Sequence, residues 1–220
     1  MPKPPAKSKP APASPPARSA PARLRPEREL RIIAGQWRGR RWRFPEGEIR
    51  PTGDRVRETL FNWLQHRISG RRCLDLYAGS GALGLEALSR GAAHCVFVDR
   101  EPRVLKGIAT CLEGWKAPPG AAQLLETPAQ RYLARAPGGA GAPFDVVFLD
   151  PPFAGEELAT AIVRLAQGGW LAPHALVYIE QPRELPMPAL PEGWHLLRSG
   201  NAGAVGYHLA ELSAREGQPP

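Results

Sequence analysis

From residue 73 onward, short apolar runs alternate with longer segments whose apolar residues recur at helical spacing. The short runs contain few polar positions, which is typical of strands buried on both faces of a sheet. The predicted strands are Cys73–Tyr77, His94–Val98, Ala122–Glu126, Asp145–Asp150, Leu176–Glu180, His195–Arg198 and Gly206–Glu211. The predicted helices are Gly81–Ser89, Pro102–Trp115, Ala129–Ala134 and Glu156–Ala166. Because strands and helices alternate, we predict an α/β fold with a seven-stranded, mainly parallel sheet in which one strand of a closing hairpin is antiparallel.

The pattern before residue 73 differs and divides into two regions. Residues 1–27 are mostly Pro, Ala, Ser, Lys and Arg, with too few large apolar side chains to offset the entropy of ordering, so we predict a disordered basic tail. Such a tail serves either as a solubilising leader or as a non-specific phosphate-binding segment. Residues 28–70 are predicted to form an N-terminal β-hairpin, with strands at residues 31–37 and 40–44, followed by a helix. In that helix Val56, Leu60, Trp63 and Leu64 form one apolar stripe.

Composition excludes several classes of protein. No run approaches the roughly 18 apolar residues of a membrane span. The N-terminus lacks the apolar core of a secretory signal, and its many prolines oppose the amphipathic helix of a mitochondrial transit peptide. Cys73, Cys95 and Cys111 form no CxxC pair and have no accompanying His cluster. We therefore expect reduced thiols, no metal site and a cytoplasmic protein.

The positive charge of the chain lies in its first third. Residues 1–72 contain 18 basic and 6 acidic side chains, whereas residues 73–220 contain 11 and 15, so a polyanion would contact the N-terminal region. There, arginines alternate with Trp and Phe; arginine binds phosphates, and aromatic rings can stack on unpaired bases. The alternative is that the aromatic residues pack on the main domain and the arginines are only solvated. The candidate RNA contacts are Arg31, Arg38, Arg40, Arg41, Arg43, Arg50, Thr52, Arg55 and Arg57.

A glycine-rich segment follows the first strand of the predicted sheet. Residues 79–84 match the pattern GxGxxG, and Asp99 follows at the distance expected of an acid that binds ribose hydroxyls. Enzymes that use NAD share this pattern, but Asp75 would then face a pyrophosphate of like charge. The cationic S-adenosylmethionine suits an acid at that position, so we predict this cofactor. The candidate cofactor-binding residues are Asp75, Tyr77, Gly79, Ser80, Gly81, Gly84, Asp99, Arg100, Ala129 and Gln130.

The tetrapeptide Asp150-Pro151-Pro152-Phe153 ends another apolar run and supplies the candidate catalytic residues. An aromatic amine is a poor nucleophile unless its hydrogens are held and its lone pair is aimed at the methyl group. The Asp150 carboxylate and the Pro151 carbonyl are two acceptors for the two hydrogens, and Phe153 can stack on the base. The alternative is a Pro-Pro stop after a buried strand, with Asp150 as a loop cap. Following a glycine loop of the cofactor type, the tetrapeptide favours methyl transfer.

At these residues the chain resembles the RsmD family of bacterial 16S rRNA guanine-N(2) methyltransferases. The resemblance runs from about Arg31 to Leu212 and rests on three blocks: residues 31–35 with residues 50–52 and 57–58, residues 74–91, and residues 150–153. It implies a Rossmann-like adenosylmethionine-dependent fold, with residues 71–220 as the catalytic domain and a guanine of 16S rRNA, modified during small-subunit assembly, as the substrate. The family usually has an Asp-Ala pair where this chain has Pro128-Ala129, so this chain lacks the side chain that would bind the adenine amine.

The predicted reaction requires the target guanine to leave its stack and enter a pocket between the hairpin and the strand ends. Naked 16S rRNA and a partly assembled 30S particle both remain open as the substrate, and we expect a monomer. Two other functions stay possible from the sequence. A DNA adenine-N(6) methyltransferase would use the same tetrapeptide, and a catalytically silent RNA-binding assembly factor would keep the same fold.

Overall fold

The computed structural model describes residues 27–45, 53–135, 137, 143–152 and 156–213. The strands are β1 (Glu27–Arg31), β2 (Arg41–Pro45), β3 (Arg72–Asp75), β4 (His94–Asp99), β5 (Ala122–Glu126), β6 (Phe144–Leu149), β7 (Leu171–Pro182), β8 (Trp194–Ala202) and β9 (Val205–Leu212). The helices are α1 (Asp54–Trp63), α2 (Ala82–Ser89), α3 (Pro102–Gly114), α4 (Ala129–Leu133) and α5 (Glu156–Gln167). The predictions for Arg50, Thr52, Phe153 and the basic tail lie outside the described residues.

Seven strands form one sheet in the order β5-β4-β3-β6-β7-β9-β8. All neighbouring pairs from β5 to β7 are parallel, and β9 is antiparallel to both β7 and β8. This confirms the predicted mainly parallel sheet with one antiparallel strand. The order of the strands reverses between β3 and β6, and in such sheets ligands bind at the carboxyl ends of the strands on either side of this point.

Each face of the sheet has its own apolar core. On one face, residues of α1, α2 and α3 pack together with Phe148 and Tyr178, and the N-terminal hairpin joins the same cluster. On the other face, α4 and α5 cover Val147, Leu149 and Ile179. Strands β3 and β6 are therefore buried on both sides, which explains why their sequences are nearly continuous apolar runs.

The N-terminal hairpin departs from the prediction. The predicted strand at residues 31–37 is wrong, because β1 ends at Arg31 and the next residues form a turn that docks on the end of α2. Gly35 has a φ of +85°, and a Cβ there would lie 1.9 Å from the carbonyl oxygen of Ser89, so only glycine permits this approach. The apolar residues that suggested a strand, Ile32 and Trp37, are instead buried in the core of the main domain.

The other elements match their predictions to within about two residues, apart from β7 and from β8, which ends at Ala202 and not at the predicted Arg198. Strand β7 begins at Leu171, five residues before the predicted Leu176. Its pairing with β6 shifts register between Phe144 and Val146, and His174 has a φ of +60°. Proline is uncommon inside strands, so Pro173 made the sequence pattern indicate a later start of β7 than the structure has.

Candidate active site

Asp99 joins two loops at the carboxyl edge of the sheet. Its Oδ2 accepts a hydrogen bond from the Gly79 N–H at 2.9 Å, and its Oδ1 accepts one from the Glu101 N–H at 2.8 Å. The residue ends β4 and is half-buried, so its carboxylate lies beside the glycine loop that follows β3. This is the position from which an acid can reach ribose hydroxyls, and that role stays a prediction.

Glycine is required at different positions of this segment for different structural reasons. Gly81 has a φ of +76° and precedes the first residue of α2. Gly84 lies inside α2, and a Cβ there would stand 2.2 Å from Cε1 of Phe97 on β4. The third glycine of the pattern therefore lets the helix pack closely on the sheet, and the positive φ of the first two shapes the turn.

Asp75 is buried beneath the same loop. Its Oδ2 accepts a hydrogen bond from the Gly84 N–H at 2.9 Å, which anchors the first turn of α2 to β3. Burial raises the pKa of this carboxyl to about 8, and the charge of Asp99 adds to the increase. A cation nearby would favour the ionised form, and the contact with the methionine end of the cofactor stays a prediction.

Two buried polar atoms lie on the segment after β3 and on α4. The Tyr77 hydroxyl and the Gln130 Oε1 make no hydrogen bond of standard geometry with the described residues. Burial strongly raises the pKa of the Tyr77 phenol, and the neighbouring Gln130 amide partly counteracts this rise. Buried polar groups usually have partners, so these two atoms fit a ligand that carries amine or hydroxyl groups, such as S-adenosylmethionine. Ala129, the first residue of α4, is buried beside them, whereas Arg100 is exposed.

The candidate catalytic tetrapeptide begins directly after β6. Asp150 is half-buried, Pro151 is buried and Pro152 is exposed. Strand β6 pairs with β3, and the Leu76 N–H donates to the Phe148 carbonyl at 3.2 Å near the end of both strands. Asp150 and the glycine loop therefore flank the point where the strand order reverses.

A second acid, which the sequence analysis did not identify, stands next to this position. Glu180 on β7 is buried, and its Oε2 accepts a hydrogen bond from the Tyr178 hydroxyl at 2.8 Å. Burial raises the pKa of Tyr178 well above its ordinary value, and the charges of Glu180 and Asp150 raise it further. The signal in the sequence was an acid that ends an apolar run at the carboxyl edge, as Asp99 and Asp150 do.

The aromatic residues of the N-terminal hairpin do not face solvent. Trp37, Trp42 and Phe44 are buried, and the rings of Trp37 and Trp42 contact Trp115 at centroid distances of 5.5 and 5.8 Å. The expectation that they stack on RNA bases is therefore wrong, and the alternative of packing on the main domain is confirmed for them. The indole N–H of Trp42 also donates to the Ser80 carbonyl at 2.8 Å, so the hairpin supports the glycine loop.

Arg57 is a further correction to the predicted RNA contacts. Its side chain is 0% exposed and donates to the Asp54 carboxylate at 2.6 Å and to the Arg31 carbonyl at 3.1 Å. Its Nη1 lies 3.7 Å from the buried carboxylate of Glu86. A guanidinium enclosed in this way holds α1 and the hairpin together and has no surface to offer a phosphate.

Glu86, on α2, is the centre of this buried network. Its two carboxylate oxygens accept hydrogen bonds from the Ile33 and Ala34 N–H groups at 2.8 and 3.0 Å, and Arg90 pairs with it at 2.7 Å. Charged side chains are buried only where such partners exist. The sequence offered no sign of this role, because Ile33, Ala34 and Arg57 lie far from Glu86 along the chain.

The remaining predicted arginines of the hairpin are exposed. Arg38, Arg40, Arg41 and Arg43 lie on the turn and on β2, and Arg31 and Arg55 lie at the end of β1 and on α1. Arg41 pairs with Glu29 at 2.7 Å and Arg31 with Asp54 at 3.1 Å, both pairs being open to solvent. Surface pairs of this kind are weak, so phosphates can compete for these arginines.

The described part of the chain contains no group of side chains arranged as a metal site and no helix that could span a membrane. Within those residues no group of His, Cys, Asp or Glu side chains has a suitable arrangement for a metal ion, and the three cysteines are buried free thiols. Over the same ranges, no helix has the length and apolar character needed to cross a membrane.

Comparisons with known proteins identify the family. The model of the family described as "Conserved hypothetical protein 95" matches residues 30–211. "Ribosomal RNA small subunit methyltransferase D" of Escherichia coli (strain K12) is 44% identical over 188 residues, which cover 85% of this chain and 92% of that protein. The solved structure of yhhF from Escherichia coli is 43% identical with a TM-score of 0.78, covering 85% of this chain and 99% of the other. SMU.776, solved in complex with SAH, is 15% identical with a TM-score of 0.63 over 78% of this chain and 53% of its own, and shares the fold. The chain belongs to the RsmD family, whose model carries that description.

Proposed function

We propose that this protein transfers a methyl group from S-adenosylmethionine to the exocyclic 2-amino group of a guanine in 16S ribosomal RNA during small-subunit assembly. The observation that carries the proposal is the position of Asp150 and Pro151 at the end of β6, beside the glycine loop that follows β3. The name of the Escherichia coli relative, a small-subunit rRNA methyltransferase, supports the substrate class. The blocks of sequence shared with guanine-N(2) methyltransferases support the atom that is methylated.

The cofactor supplies an electrophilic methyl group when it is bound. On the protein side, Asp99 accepts hydrogen bonds from the ribose hydroxyls, and the carboxyl of Asp75 lies near the positively charged methionine end. The Tyr77 hydroxyl and the Gln130 Oε1 accept hydrogen bonds from donor groups of the cofactor. Since Pro128 has no carboxylate, Ala129 and Gln130 hold the adenine in place of the usual acid.

The amine is activated by orientation. The Asp150 carboxylate and the Pro151 carbonyl accept its two hydrogens, which turns the nitrogen lone pair toward the methyl group. The same two acceptors stabilise the positive charge that develops on the nitrogen during transfer, and the methylated amine then loses one proton, to Asp150 or to water. Pro151 is buried and its ring fixes the backbone, so its carbonyl needs no reorganisation when the base arrives.

The hairpin arginines bind the RNA backbone around the target. Arg38, Arg40, Arg41 and Arg43 are exposed on an element that packs on the glycine loop through Trp42, so phosphates bound there lie close to the cofactor side of the crevice. Their attraction offsets part of the few kcal/mol needed to turn a stacked guanine out of its helix.

The direct test measures where the methyl group goes. Purified protein and a labelled methyl donor are incubated with 30S particles from cells that lack the protein, with naked 16S rRNA and with duplex DNA. We expect label in N2-methylguanosine from one of the RNA substrates and none in the DNA. Label in N6-methyladenine of the duplex would instead establish a DNA enzyme, and an absence of transfer together with no cofactor binding by calorimetry would establish a silent assembly factor.

A further inference from the structure

Strand β2 of the hairpin has two different faces. Its side chains alternate, so Trp42 and Phe44 are buried in the core of the main domain, whereas Arg41 and Arg43 are exposed to solvent. The proposed function uses only the exposed arginines, which would bind the RNA backbone. The buried face contacts the loop after β3, where the cofactor is proposed to bind.

This contact is a hydrogen bond that is shielded from water. The indole N–H of Trp42 donates to the Ser80 carbonyl at 2.8 Å, and the two residues are only 6% and 7% exposed. Trp115, directly after α3, meets the Trp42 ring edge-on at a centroid distance of 5.8 Å, and Leu30 pairs with Trp42 across the hairpin. Packing therefore fixes the orientation of the indole, and its N–H is directed at the backbone of the glycine loop.

The peptide group between Ser80 and Gly81 is held at both ends. Its N–H, from Gly81, donates to the Ala78 carbonyl at 2.7 Å, and its carbonyl accepts from Trp42. Ser80 lies between Gly79 and Gly81, whose φ values are +49° and +76°. Glycine adopts φ of either sign at similar cost, so sterics alone do not prevent this peptide from rotating. The indole N–H thus selects one of several conformations that the loop could adopt.

We propose that Trp42 is a positioning residue for the cofactor: its indole N–H keeps the glycine loop in the conformation that binds S-adenosylmethionine, and the hairpin thereby forms part of the cofactor site. This inference rests on the proposed function, since it takes S-adenosylmethionine as the ligand of the loop. Without the indole N–H, the buried Ser80 carbonyl loses its donor and the peptide turns toward water. The apparent affinity for the cofactor then falls in proportion to the fraction of molecules whose loop keeps the binding conformation.

The test compares Trp42→Phe with Trp37→Phe. Both substitutions replace a buried indole of the N-terminal region by a phenyl ring, and both alter packing on Trp115. Trp37, however, lies at the other end of α2, where its backbone N–H donates to the Ser89 hydroxyl at 3.0 Å. Calorimetry with S-adenosylmethionine, in the absence of RNA, measures the affinity. We expect Trp42→Phe to weaken binding by about tenfold and Trp37→Phe to change it by less than about twofold.

Two further measurements separate positioning from a merely structural role. In steady-state kinetics, Trp42→Phe is expected to raise KM for S-adenosylmethionine by about tenfold and to keep kcat within about twofold, because the bound cofactor restores the loop. A variant with Arg41 and Arg43 replaced by Gln changes the opposite face of the same strand. It is expected to bind RNA more weakly while keeping the cofactor affinity of the wild type.

The wild-type protein provides the second test should Trp42→Phe not fold. In NMR hydrogen-exchange experiments, the Trp42 indole N–H is expected to exchange at least about tenfold more slowly than an indole in water. Saturating S-adenosylmethionine should slow this exchange further, because the hydrogen bond and the cofactor favour the same loop conformation and the effect is reciprocal. An exchange rate that the cofactor leaves unchanged would overturn the inference.

The remaining outcomes also decide the matter. Equal losses of cofactor affinity in Trp42→Phe and Trp37→Phe would show that only general packing of the hairpin is involved, and an unchanged affinity in Trp42→Phe would show that the loop needs no such restraint. Either result overturns the inference, as does a loss of kcat with an unchanged KM. A wild-type protein that binds the cofactor but methylates no guanine at N2 overturns the proposed function and leaves the inference standing. One that binds no S-adenosylmethionine overturns both.

Discussion

Asp150 follows a strand whose side chains are almost all buried, yet it is itself only half-buried. Its carboxylate can therefore meet a substrate amine without the full cost of burying an isolated charge. We expect Asp150→Ala to lower kcat by about 100-fold or more while leaving cofactor affinity nearly unchanged, because the acceptor that it removes acts on the amine. Single-turnover kinetics and calorimetry measure the two quantities. Asp150→Asn keeps one acceptor oxygen and should lose less, and a normal rate in Asp150→Ala would remove the residue from the mechanism.

Asp75 gives the stability of the fold a pH dependence of known sign. Its folded-state pKa of about 8 lies above the ordinary value of 3.8, so unfolding between these values releases a proton. The protonated Asp75 carboxyl makes its full contribution to the free energy of unfolding at acid pH, and this contribution is lost as pH rises through about 8. Asp75→Asn keeps an oxygen for the Gly84 N–H but does not titrate. The difference in free energy of unfolding between wild type and variant, from urea denaturation, should thus decline by at most about 1.4 kcal/mol per pH unit between about pH 5 and about pH 8. Parallel pH profiles would contradict this.

At the level of elements, burial on both faces made the central sheet predictable. The apolar runs of β3, β4 and β6 cannot be amphipathic surface segments, and the acids that end β4 and β6 could be recognised from the motifs around them. The hairpin was misread because Ile32 and Trp37 are buried by docking on α2, and a linear pattern does not distinguish docking from strand pairing. Arg57 was wrongly assigned to RNA for a related reason, since its buried partner Glu86 is brought to it only by folding. Glu180 was not identified, because no motif surrounds it in the sequence.

The packing of α2 on β4 allows a matched pair of glycine substitutions. In Gly84→Ala the new methyl would stand 2.2 Å from the Phe97 ring, so the helix must move away from the sheet. We expect a loss of about 1–3 kcal/mol in the free energy of unfolding. We also expect weaker cofactor binding, because the glycine loop leads directly into α2 and would move with it. Gly107→Ala, in α3, meets nothing within 4 Å and is expected to be neutral or to stabilise by about 0.5–1 kcal/mol. Urea denaturation compares them, and equal effects of the two substitutions would refute the packing argument.

For the molecule as a whole, the hairpin connects two functions that the sequence assigned to separate regions. Its exposed arginines face solvent on β2 and the turn, while Trp42 of the same strand donates to the Ser80 carbonyl of the glycine loop. Glu86 fixes the start of the turn to α2 through the Ile33 and Ala34 N–H groups. The surface proposed to bind RNA is thereby attached rigidly to the loop proposed to bind the cofactor, so the position of the RNA backbone relative to the methyl group is set by the fold.

This arrangement predicts a localised electrostatic effect on RNA binding. A variant with Arg40, Arg41 and Arg43 all replaced by Gln should bind 16S rRNA more weakly, and the slope of log K against log salt should decrease by about 0.7–0.9 for each phosphate that the variant no longer neutralises. Filter binding at several salt concentrations measures both quantities. Replacing the exposed Arg131, Arg135 and Arg198 by Gln removes the same charge from other surfaces and should leave the slope nearly unchanged. If the two triple variants weaken binding equally, only the net charge matters and the RNA surface is not on the hairpin.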